Sequence, residues 1–79
     1  MTESRVEFDY SILEGKIKQY YDTQDNFASK IPMGRATLNL KLKNKLDFTS
    51  QNIKRMQVLL NIKDEEIGEV FFKEKSLEN

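Results

Sequence analysis

A chain of 79 residues with no cysteine and no histidine has no disulfide and no thiolate or imidazole metal site to hold it together. At this length one modest core is all that can form, and a large share of the surface stays in water. The chain is therefore expected to be a single domain over residues 1–79, stabilised by packed apolar side chains and, where these fall short, by a partner. No metal and no cofactor is expected.

The apolar residues, 38% of the chain, recur at spaced positions and never in a run long enough to cross a membrane. The leader Met1–Phe8 carries Glu3, Arg5 and Glu7 and has no apolar stretch, so it does not read as a secretory signal. A cytoplasmic protein is expected, with a flexible leader over about residues 1–7.

The spacing then predicts helices. Asp9 is placed to cap a first helix from Tyr10, with Leu13, Ile17 and Tyr20 or Tyr21 on one face. Gly15 within it either weakens the helix or admits a close neighbour. Thr23 caps a short second helix over 24–30, with Phe27, Ala28 and Ile31 inward, and Pro32 stops it. Residues 37–46 alternate apolar and polar as a strand would, but Leu, Lys, Arg and Ala favour helix and no partner strand exists. A helix over about 35–43 follows, with Leu38 and Leu42 inward and Leu40 left outside. Residues 44–48 form a loop. Thr49 caps a fourth helix, with Ile53, Met56, Leu59 and Leu60 inward, ending near Asn61. A fifth opens on Asp64, Glu65 and Glu66, suited to a helix N-terminus, and carries Ile67, Val70, Phe71 and Phe72. Met33 also belongs to the core. The tail from Lys73 is expected to fray, with residues 74–79 flexible.

Thirteen bases balance thirteen acids, which argues against coating nucleic acid by net charge. Their distribution is uneven. Residues 30–45 hold five bases and no acid, between flanks of six acids and three bases over 1–29 and six acids and two bases over 64–79. Catalysis is not expected: the carboxylates do not converge, no glycine-rich phosphate loop is present, and so small a domain has no room for a substrate cavity.

A short helix starting with Gln, an Ala four residues on, a turn and a second short helix is helix-turn-helix spacing, read here in QDNFASKIPMGRATLNLKL. With FDYSILEGKI before it and NIKDEEIGEVFF after it, the chain resembles small Cro/repressor-like proteins of temperate phages of Gram-positive bacteria. Among these it is most similar to the lactococcal modulator-of-repression, or antirepressor, proteins. The resemblance covers about residues 8–73. It implies a compact five-helix, all-α domain whose second helix supports a third, recognition helix lying in the major groove.

Two departures shift the expected role. The turn has Pro32 where such proteins usually have glycine, and the recognition helix opens with Gly34 where a polar reader usually stands. The outward Leu40 has no hydrogen bond to offer a base edge. The expected function is regulation of a phage lysis–lysogeny switch in the bacterial host, by binding the cognate phage repressor. A Cro-like repressor that itself binds operator DNA, alone or jointly with the repressor, is the alternative; neither a membrane nor a small-molecule substrate is expected. The candidate contact residues are Gln24, Arg35, Ala36, Thr37, Asn39, Leu40, Lys43, Asn44 and Lys45. Gln24 is placed for phosphate, and Arg35 and Asn39 are types that pair with guanine and adenine. Glu65 and Glu66 are the candidates for an acidic patch that meets a basic helix of the partner.

Overall fold

Asp9 turns the chain into its first helix without being its cap residue. The computed structural model describes residues 6–75, and in it Asp9 Oδ1 accepts the backbone N–H of Ser11 at 2.9 Å. That bond, together with the Ser11 hydroxyl, holds the Asp9 carboxyl below its ordinary value. Helix α1 spans Ser11–Tyr21, one residue later than the sequence suggests. Leu13 and Ile17 are buried, and of the two tyrosines it is Tyr21 that faces inward, donating its hydroxyl to the Leu59 carbonyl at 3.1 Å. Gly15 meets no neighbour: a Cβ there would find nothing within 4 Å, so the position is open surface and no close approach depends on it.

Thr23 caps α2, Gln24–Ala28, by accepting the Asn26 N–H at 3.1 Å. The helix is two residues shorter than expected, because Ser29–Met33 already turn ahead of Pro32. Helix α3 covers Gly34–Leu42, so the alternating stretch is helical, with Leu38 and Leu42 buried and Leu40 outside. Helix α4 runs Ser50–Leu59 behind a reciprocal cap in which Thr49 Oγ1 takes the Asn52 N–H and Asn52 Oδ1 takes the Thr49 N–H. The expected fifth helix is two pieces, a 3-10 turn at Asp64–Glu66 and α5 at Ile67–Phe71.

The two middle helices end alike. Asn44 and Asn61 stand in the left-handed region, at φ 65 and 55, just past α3 and α4. Behind them the Lys45 N–H reaches the Leu40 carbonyl at 2.8 Å and the Ile62 N–H reaches the Gln57 carbonyl at 2.9 Å. Both closures satisfy carbonyls that a helix end otherwise leaves unpaired.

The protein is thus all-α: the described residues form five α-helices, are about 61% helical and include no strand. Helix α1 packs on α2 and α5, and α2 on α3. Phe27, Leu38, Met56, Leu60, Val70 and Phe71 are fully enclosed between them. Two expectations at the C-terminal end need correction. Phe72 is half exposed rather than inward, its ring set perpendicular to that of Phe8 with 5.8 Å between centres. Lys73–Lys75 do not fray: the Asp9 N–H donates to the Lys73 carbonyl at 2.7 Å and the Lys75 N–H to the Glu7 carbonyl at 2.9 Å, tying both ends of the described chain together. The rest of the expected flexible leader and tail, residues 1–5 and 76–79, lies outside the described residues.

Candidate functional site

Helix α3 presents its outer side because Leu38 and Leu42 take its inner side into the core. One turn apart on a 3.6-residue helix, these two leave Arg35, Ala36, Leu40 and Lys43 exposed, with Thr37 and Asn39 partly exposed. The opening glycine has a backbone reason: Gly34 stands at φ +80, a conformation an L side chain rarely adopts, so the departure from a polar leading residue follows from the sharp turn after Pro32.

The face is more apolar and less positive than its sequence suggests. Arg35 is tied to Asp25 of α2, its Nη1 lying 2.6 Å from the carboxylate. Lys41 is buried alongside the core, its ammonium donating to the Asp47 carbonyl at 2.7 Å and lying 5.9 Å from the centre of the Phe48 ring. Leu40 is 41% exposed and Leu46 43%, and the chain folds back so that the Leu46 N–H meets the Leu40 carbonyl at 3.4 Å. Leu40 and Leu46 are thus both exposed and joined through their backbones, and Lys43 and Lys45, close to them in sequence, are exposed too.

The other candidates separate. Asn44 is buried: its Oδ1 accepts the Phe8 N–H at 2.9 Å and its Nδ2 donates to the Phe8 carbonyl at 3.0 Å. It is a clamp on the N-terminal segment, so its side chain is turned into the fold and not presented on the outer face as the sequence suggests. Gln24 is partly buried at the start of a five-residue helix. Glu66 spends its carboxylate on the Lys63 N–H at 3.0 Å, and the neighbouring Asp64 accepts the Gln57 amide at 2.5 Å. Of the proposed acidic patch only Glu65 is exposed and without such a bond.

Sequence reasoning missed Leu46, whose signal was an apolar residue inside a polar loop, and the Asp25–Arg35 pair, whose partners are ten residues apart on different helices. Among the described residues no three His, Cys, Asp or Glu side chains gather as metal ligands, and no helix is long and apolar enough to cross a membrane.

Fold and surface together define a small all-helical domain with a mixed apolar and basic face on its third helix. Residues 6–74 match the family described as "Protein of unknown function (DUF739)", and the chain belongs to that family. A comparison with curated proteins finds no match.

Proposed function

We propose that this chain regulates a phage lysis–lysogeny switch as an antirepressor, binding the cognate lysogenic repressor through the outer face of α3. The reading begins from the resemblance to Cro/repressor-like phage proteins, and the α2–turn–α3 arrangement agrees with it. The observation that carries the choice of a protein over DNA is the exposure of Leu40 on the outer face of α3 and of Leu46 just after it, with Arg35 of the same helix paired to Asp25. A desolvated apolar centre with a charged rim suits a protein contact. Base edges call for free hydrogen-bonding groups at the same positions.

The test is a pull-down of the purified repressor by this protein, paired with a gel shift on the intergenic operator DNA. The reading expects a stable complex with the repressor and no shift by the isolated protein at physiological salt. Specific operator binding at about nanomolar strength would transfer the function to direct repression.

Direct operator binding is the second reading, favoured by the exposed Lys43 and Lys45 and the partly exposed Asn39. It expects affinity to fall steeply with salt, Arg35→Ala to relax base preference, and Lys45→Ala to weaken all sequences alike.

A further inference from the structure

Helix α4 buries Met56, with Leu60 buried just past its end, and holds Val58 on the side opposite Met56, 80% exposed. Beside Val58 an open groove of about 690 Å³ runs between α4 and the turn that follows α2. One wall is Ile31, Pro32 and Met33. The other is the α4 surface, polar at its start with Ser50, Gln51 and Asn52 and continuing over Lys54, Arg55 and Val58, with Met56 also lining the groove. The turn wall offers little to hydrogen-bond: Pro32 has no N–H, and the Met33 N–H is already given to the Ile31 carbonyl at 2.9 Å. Away from its polar end the groove therefore rewards an apolar occupant.

Its charge selects among apolar occupants. Lys54 and Arg55 are the charged residues of the lining, both are exposed, and neither forms an ion pair with a described residue. In this they differ from Arg35, held by Asp25, and Lys41, held by the Asp47 carbonyl. A basic rim over an apolar floor complements a segment whose apolar face is flanked by acids. A ten-residue helix gives a wall ~15 Å long, which matches two to three turns of a docked helix.

A second copy of this chain fits poorly. Pairing groove to groove about a two-fold axis would set Lys54 and Arg55 of each copy against those of the other. Inserting the acidic stretch from Asp64 into the groove of the next copy would be head-to-tail and would give a ring or a filament, not a two-fold dimer. A phosphate backbone would leave the apolar floor unused.

We infer that the groove between α4 and the Ile31–Met33 turn is a docking site for an amphipathic, acid-flanked helix of another protein, separate from the α3 face. The inference does not rest on the antirepressor reading, because neither Leu40 nor Leu46 lines this groove. The test titrates the isotope-labelled full chain with two synthetic helical peptides that share one leucine face, one flanked by glutamates and the other by lysines. Amide shifts centred on Met33, Arg55 and Val58 are expected, with the glutamate peptide binding roughly tenfold tighter than the lysine peptide at low salt. Val58→Glu should abolish its binding with the amide spectrum of the fold preserved, and the Lys54→Glu, Arg55→Glu double variant should reverse the peptide preference. Equal binding of both peptides, shifts centred elsewhere, no binding, or a concentration-dependent dimer of the free protein abolished by Val58→Glu would each overturn the inference. So would competition of duplex DNA for the same amides.

Discussion

Helices α3 and α4 are built on the same plan and finish differently. Each buries an apolar stripe, Leu38 and Leu42 in one and Met56 in the other, and each ends on an asparagine in the left-handed region. Each also carries an exposed aliphatic residue on its outer side, Leu40 or Val58. The difference lies in the cations. On α3, Arg35 and Lys41 are engaged within the protein, whereas on α4 Lys54 and Arg55 are free of ion pairs with described residues. Counting bases along the chain would rank α3, in the acid-free segment 30–45, as the more positive surface. What a face offers a partner is set instead by which charges the fold has already paired.

The shared inner plan gives the largest expected effects. Leu38→Ala and Met56→Ala should each cost about 2–5 kcal/mol in urea unfolding, since both side chains are fully enclosed and deletion leaves a cavity. A near-neutral result for either would break the equivalence of the two inner faces.

The helix ends sharpen the comparison. Asn44→Ala should cost about 1–3 kcal/mol, because it orphans the N–H and carbonyl of Phe8 in addition to straining a positive φ. Asn61→Ala has only the strain, about 1 kcal/mol. Equal losses by thermal unfolding would mean that the Phe8 clamp contributes nothing.

The outer faces give the smallest stability effects. Asp25→Ala should change stability by less than about 1 kcal/mol, since its pair with Arg35 is exposed on both sides. Its consequence is functional: freeing Arg35 should raise non-specific DNA affinity, read as a steeper salt dependence in fluorescence anisotropy. An unchanged salt slope would mean that Arg35 is not withheld by Asp25.

The helices were legible in the sequence where local chemistry decides them. Thr23 and Thr49 mark helix starts through their own hydroxyls, and Pro32 forces the turn through its ring. Even the misleading alternation of Leu38, Leu40 and Leu42 yields to residue type. What stayed hidden depends on contacts distant in sequence. Asn44 looks like a polar surface residue until Phe8, thirty-six positions away, is brought to it. The pairing of Glu7–Asp9 with Lys73–Lys75 turns an expected frayed tail into part of the fold. For the α3 face, the outward position of Leu40 follows from periodicity, but the exposure of Leu46 and the pairing of Arg35 with Asp25 do not. The role of Gly34 is visible only once its backbone angle is known.

The central claim is that the α3 face binds a repressor protein through an apolar centre. Calorimetry of the purified lysogenic repressor against the wild-type chain and Leu40→Asp tests it most directly. Leu40 is already 41% exposed, so the variant should keep its helicity and melting temperature while losing detectable binding. Wild-type affinity retained by a folded Leu40→Asp would contradict the account and remove the α3 face from the interface.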